Sequence, residues 1–199
     1  MKYIYILIFV LLFISCENNP YHCALDPVVL SFNDSIERIP DYRENYPKHF
    51  EKYGEQELED HGVKSYRLFV NYSFYLEPWI YRFEKSDEGG RLTIKKNYKD
   101  SFEDSTSFRD TVIVKALSID QWKGVEEIFE ANCFWTLPAF IDRRGLDGRT
   151  CILEAFDPDR DNPVYKNYFI ASRWEPEENT SFLMICNYIQ AFEPEPEFY

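Results

Sequence analysis

Asp157, Asp159 and Asp161 stand at alternate positions, the spacing in this chain that most nearly suits a metal ion. They match the opening of an EF-hand calcium loop, which then requires Gly at the sixth position and a bidentate Glu at the twelfth. Those places hold Asn162 and Tyr168, and a solvated turn rich in Asp, Asn and Pro accounts for the whole stretch. Asp147 and Arg149, with Gly145 and Gly148 beside them, form a second candidate. Backbone N–H groups in such a turn can cradle an anion, or the glycines can simply supply positive φ ahead of a strand. A third candidate is Arg173 and Trp174, since Arg stacks on aromatic faces and both types are common at binding hot spots. The same pair could instead lock a strand to the last helix, with Arg173 bonded to Glu154 on the neighbouring strand. No cofactor is called for by any of these patterns.

Hydrolytic machinery is sparse. His22, His49 and His61 are scattered, with neither a zinc-protease HExxH motif nor a nucleophile elbow. A carboxylate pair for glycan cleavage depends on a spatial gap of about 5 to 9 Å, which spacing along the chain does not reveal. With 35 acidic residues, some pair is always at hand.

Cys16 is the remaining reactive position. Lys2 supplies one positive charge, and Tyr3 to Ile14 is apolar apart from two tyrosine hydroxyls. As a helix these twelve residues reach about 18 Å, short of a bilayer core of about 30 Å, so the length suits the apolar region of a signal peptide. Phe13-Ile14-Ser15-Cys16 resembles a bacterial lipobox, in which a small residue precedes the cysteine that is acylated and becomes the mature N-terminus. Each buried CH₂ contributes about 0.8 kcal/mol, so two or more acyl chains hold a protein stably at a membrane. Glu17-Asn18-Asn19 is similar to the polar start of Bacteroidetes-type lipoproteins. That resemblance implies residues 1–15 as signal peptide, residues 16–27 as lipidated cysteine and tether, and an address in the cell envelope, at the outer membrane.

The formal charge is −13. Nucleic-acid affinity rests on Lys and Arg neutralising phosphates, so a nucleic-acid partner is excluded; solubility or a basic protein partner is what the charge suits. Cys23, Cys133, Cys151 and Cys186 allow three disulfide pairings in an exported chain. Cys133 and Cys186 also fall on the apolar faces of expected helices, where buried free thiols serve as well.

These groups need a scaffold. Tyr66, Leu68, Val70 and Tyr72 alternate with Ser65, Arg67 and Asn71, a period of two that buries one face of a strand. Trp79, Tyr81 and Phe83 continue it, Ser86 to Gly90 turns a hairpin, and Leu92 and Ile94 answer. Residues 110–117 are β-branched and form a further strand. Ser118 and Gln121 make a capping box for a helix carrying Trp122, Val125, Phe129 and Cys133 on one stripe. Residues 150–156 and 164–174 form a second hairpin, and residues 178–192 a closing helix with Phe182, Ile185, Cys186 and Ile189 inward. Charged and aromatic text over residues 43–61 admits a short helix, and residues 193–199 read as an acidic tail. The expected fold is α+β: one antiparallel sheet, a meander plus a hairpin, with two helices packed on it, in a single domain over residues 28–192.

Phe134-Trp135-Thr136-Leu137-Pro138, then Gly145 to Glu154, then Tyr168 to Pro176, resemble an uncharacterised bacterial domain with FWxLP, GxDGxxWxLE and YHxxxRWSP motifs. Cys151, Phe169 and Glu175 replace that family's Trp, His and Ser. The resemblance implies a fold and no activity. Together these readings point to a lipid-anchored envelope protein whose domain binds a partner, an immunity factor against a basic toxin being the sharpest form. The competing reading is a carboxylate-dependent hydrolase acting on envelope polymers.

Overall fold

The computed structural model describes residues 23–24, 26–37, 50–51, 53–72, 76–99, 108–141, 148–161 and 166–193. The expected signal peptide, Cys16, Asp147 and residues 194–199 of the acidic tail lie outside them.

The alternating segments form strands β1 (Ser65–Tyr72), β2 (Leu76–Ser86), β3 (Gly89–Lys99) and β4 (Phe108–Leu117), a meander of neighbours in one seven-stranded sheet. The β2–β3 turn is tight: Ser86 pairs with Gly89, whose φ is +136°, and a Cβ there would stand 2.4 Å from the Leu117 carbonyl oxygen. The hairpin β6 (Arg149–Phe156) and β7 (Tyr168–Trp174) joins the meander through β1, giving the order β4-β3-β2-β1-β6-β7-β5. β5 (Phe140–Ile141) pairs with β7 in parallel, so the expectation of a purely antiparallel sheet is corrected at that edge. Two residues carry no readable periodicity, and the register comes from the chain's path after Pro138.

α2 (Ile119–Ala131) and α3 (Ser181–Gln190) cover one face, as expected of an α+β fold. The capping box is present: Ser118 Oγ accepts the Gln121 N–H at 3.2 Å, and Gln121 Oε1 accepts the Ser118 N–H at 3.0 Å. Trp122, Val125 and Phe129 then meet Tyr66, Leu68, Tyr81 and Phe83 from the strands. Rings of Tyr66 and Phe129 lie 4.3 Å apart, and Phe134 packs edge-on against Phe129 and Phe169. Each such side chain, fully buried, contributes about 1.5–3 kcal/mol.

A third helix precedes the sheet. α1 (Pro27–Glu37) begins where the tether was expected to end. Pro27 starts this helix because its missing N–H is not needed in a first turn, and Asp26 caps it by accepting the Val28 N–H at 2.8 Å. Asn33, fully buried, holds α1 to the segment after α2: its amide donates to the Leu137 carbonyl at 2.8 Å and accepts the Ala139 N–H at 2.7 Å.

Cys133 is not on the helical stripe. α2 stops at Ala131, and Cys133 has left-handed backbone (φ +52°), which turns its thiol toward Cys23. The two form a disulfide spanning 110 residues, so the segment expected to be free tether is fixed to the domain from Cys23 onward. Cys151 and Cys186 are buried free thiols. Among the described residues no helix is long and apolar enough to cross a membrane.

Closing so long a loop restricts the unfolded chain. Replacing Cys133 with Ser is therefore expected to cost about 2–5 kcal/mol. Urea unfolding checks it: reductant should bring the native protein's midpoint down to that of the variant and leave the variant's own midpoint unmoved.

Candidate functional site

The sheet's second face gathers a dense set of titratable groups among the described residues. β1 was expected to bury one face only; instead its residues from Ser65 to Val70 are buried on both sides. Phe50, Leu58 and Tyr53 from the preceding segment pack over Phe69, Ile80, Ile152 and Ile170. Beneath that cover Arg67 is fully buried. Its Nε donates to Glu154 Oε2, and its Nη1 donates to the Gln56 carbonyl at 2.8 Å and to Glu55 Oε2 at 3.3 Å. The guanidinium carbon lies 4.2 Å from the centre of the Phe50 ring. Tyr168 donates to the other Glu154 oxygen at 2.6 Å.

Glu55 also meets Arg82 through Oε2, while its Oε1 lies 2.6 Å from Lys95 Nζ, an ion pair in contact though off the hydrogen-bond axis. Glu84 Oε2 takes Arg82 at 3.2 Å and Arg91 at 2.9 Å, and Glu84 Oε1 lies 3.0 Å from His61 Nδ1. Burial alone would raise the Glu55 and Glu84 carboxyls, but Lys95 and Arg82 around the first, and Arg82 and Arg91 around the second, hold both below the ordinary carboxylate value. Burial lowers His61 below its usual value against the pull of Glu84. These carboxylates are each bound to cations under a lid of side chains. The cluster is a structural ion network.

A cleft of about 300 Å³ opens at the other end of β7. Its apolar walls are Leu137, Pro138, Ile141, Trp174, Pro176 and Phe182; Glu175, Glu177, Thr180 and Ser181 bring the polar groups. Thr180 caps α3, accepting the Leu183 N–H at 3.3 Å and donating to the Glu177 carbonyl at 2.8 Å, which fixes the turn that forms the rim.

Arg173 and Trp174, two of the four residues expected at a binding surface, both line this cleft. Arg173 is buried and spends its guanidinium on main-chain carbonyls: Ser172 at 2.6 Å, Ala139 at 3.4 Å and Pro138. Its Cζ stands 5.0 Å from the Phe182 ring. The expected bond to Glu154 is absent, because Arg173 pairs in register with Cys151 while Glu154 pairs with Ile170; the alternation sends Arg173 and Glu154 to opposite faces. Arg173 thus lays the cleft floor by tying β7 to Pro138 and Phe182, and Trp174, half-buried, presents its ring.

Arg149 stands behind the rim. Its N–H donates to Glu175 Oε1 at 2.5 Å, and the Glu175 N–H returns a bond to the Arg149 carbonyl at 2.9 Å. Asp147, the fourth candidate, lies outside the described residues. Sequence reasoning missed Pro138, Phe182 and Glu177; the run Glu175-Pro176-Glu177-Glu178 ahead of a Thr cap was the available sign of an acidic rim.

Asp157, Asp159 and Asp161, the metal candidates, stand at the turn after β6. Asp157 Oδ2 is ion-paired to Lys64 at 2.9 Å, and Oδ1 accepts the Asp159 N–H at 3.2 Å, the bond of an Asx turn. Lys64 extends the pair to Glu126 on α2 at 2.9 Å. Among the described residues, no three His, Cys, Asp or Glu side chains converge as metal ligands.

No protein-family profile matches the chain, and no curated protein is significantly similar to it.

Removing one partner of a buried ion pair leaves the other charge uncompensated. Arg67→Met is expected to cost about 3–5 kcal/mol, and Arg67→Met with Glu154→Leu to recover at least half of that loss, measured by urea unfolding. The pH response follows from the lowered values. As pH falls past the ordinary values, 6.5 for His61 and 4.5 for Glu55 and Glu84, the unfolded chain takes up protons at these groups before the folded chain does. Stability is therefore full above these values and lost as pH falls through the folded ones. Melting temperature followed from about pH 8 to about pH 3 should decline in two stages, and His61→Gln should remove the first.

Proposed function

We propose that this chain is exported, is held to a membrane by acyl chains on Cys16, and uses the Trp174 cleft to bind a basic protein partner without transforming it. The Cys23–Cys133 disulfide carries the reading. Such bonds persist in oxidising compartments and are rare in cytoplasmic proteins, which agrees with a signal peptide ending at an acylated cysteine. Cys23 lies seven positions after Cys16. Fully extended, that step reaches at most about 25 Å, so the domain rides close to the bilayer.

The cleft supports the binding half. Its walls offer an aromatic ring and two prolines to an apolar side chain, and Glu175 and Glu177 at the rim complement a Lys or Arg beside it. The charge of −13 steers a basic partner toward the whole surface. A secreted basic toxin neutralised at the envelope fits this chemistry.

The test runs on cells fed a tagged fatty acid. Label on the native protein and none on Cys16→Ser is the expected result; label that persists on the variant refutes the anchor. A partner captured from the same envelope should bind Trp174→Ala about thirtyfold more weakly, the loss of about 2 kcal/mol usual for a central aromatic. It should also weaken with salt. Equal capture by native protein and Trp174→Ala would remove the cleft from the account.

A further inference from the structure

One side of α1 is pinned to the domain and the other is bare. Asn33 bonds the main chain on either side of Pro138, and Val29 and Leu30, both half-buried, share its face. The opposite face carries Val28, Ser31, Phe32 and Ser35, recurring three or four residues apart. All four are exposed, Val28 by 76 % and Phe32 by 39 %. With Pro27 they line a shallow depression. No charge interrupts this face, although the water-facing side of a helix ordinarily carries several. Ser35 spends its hydroxyl inside the helix, donating to the Phe32 carbonyl at 2.6 Å.

The path of the chain places a membrane beside this face. Cys23 is bonded to Cys133, so α1 begins four positions beyond a point fixed on the domain. Cys16 stands seven positions before that point, a step of at most about 25 Å. On the reading of Cys16 as an acylated residue, on which this inference rests, the bilayer stays within that reach of Cys23. We propose that α1 is a membrane-docking helix, which lays its Val28–Phe32 face into the headgroup layer of the anchoring bilayer.

Its chemistry selects the kind of surface. Helices that seek anionic headgroups do so with Lys or Arg; α1 has neither, and the chain carries a charge of −13. The surface it fits is therefore zwitterionic, and the attraction is burial of Val28 and Phe32. Two such side chains hold a free helix weakly, because binding scales with buried apolar area. A short tether makes the contact intramolecular and raises its effective concentration. Docking has a consequence for the cleft. α1 then lies between lipid on one side and Leu137 to Ala139 on the other, so the helix sets how the wall at Pro138 is turned toward the membrane.

Fluorescence of the full-length acylated protein on vesicles tests this. Phe32→Trp adds an indole to the face, and Val112→Trp adds one to exposed β4, at the far edge of the sheet from β5. Each is reconstituted in phosphatidylcholine with and without bromine on the upper acyl carbons, the native protein giving the background. Brominated lipid should quench the indole added by Phe32→Trp and spare that of Val112→Trp. High salt should leave the quenching unchanged, and anionic phosphatidylglycerol should weaken it. Adding Val28→Asp should remove most of it without lowering the urea midpoint, since an acid suits the first turn of a helix. A second form starts at residue 16, with Cys16→Ser behind a hexahistidine tag, and is held by nickel-chelating lipid. Quenching in this form, with no acyl label on native Cys16, would refute the anchor and uphold the docking. No quenching in either form overturns the docking whatever Cys16 carries. So does an indole at position 32 that becomes shielded with rising protein concentration in vesicle-free solution, which would give the face to a second copy.

Discussion

Arg67 is the constraint on which the arrangement rests. A guanidinium with no exposed surface must find partners, and here they come from two separated stretches: Glu154 on β6, and the Glu55 carboxylate with the neighbouring Gln56 carbonyl ahead of β1. A buried pair of this kind adds little net stability compared with well-packed apolar side chains, because desolvation offsets attraction. Its effect is on register. A slip of one residue between β1 and β6 would turn Arg67 toward Tyr66, Leu68 and their aromatic neighbours, where no acceptor waits. The segment before β1 is held for the same reason: once Arg67 and Arg82 are covered, Glu55 must stay above them.

The two faces of the sheet were unequally legible. The aromatic face could be read from alternation, because Tyr66, Leu68 and Val70 fall opposite Phe83, Tyr81 and Trp79 in the register that the pattern demands. The capping box was equally plain, since its two side chains are specified by type and spacing. The second face was hidden by its chemistry. Arg67, Arg82, Glu84 and Lys95 fall on the side of the alternation opposite the apolar residues, Glu154 was matched to Arg173 instead of Arg67, and only pairing across strands cancels their charge. That pairing is a property of register, which single residues do not announce. α1 was missed because a proline marks both a chain break and a helix start, and Cys133 because one left-handed residue ends the helical stripe two positions early.

The cleft was half visible. Arg173 and Trp174 stood out by type, yet their roles divide: the guanidinium is consumed by carbonyls of the floor while the indole faces the opening. The walls come from segments distant in sequence, Leu137–Pro138 and Phe182, so no local pattern could join them. The acidic clusters show the complementary lesson. Asp157, spaced like a ligand beside its neighbours, serves as the end of an ion chain to Lys64 and Glu126, while Glu175 and Glu177 reach the rim.

Stability and position meet at the segment between α2 and β5. Cys133 is bonded to Cys23, and Asn33 of α1 bonds the main chain on either side of Pro138, a wall of the cleft. The stretch nearest the proposed anchor is thus tied twice to the segment that walls the cleft, once covalently and once through a buried amide. Pull or tilt at Cys16 would be delivered to that wall before it reached the sheet, whose two buried faces resist deformation. On the proposed reading, an acyl anchor at Cys16 would lie within reach of the end of the domain that carries the cleft, and a partner seated against Trp174 would be met near the membrane surface.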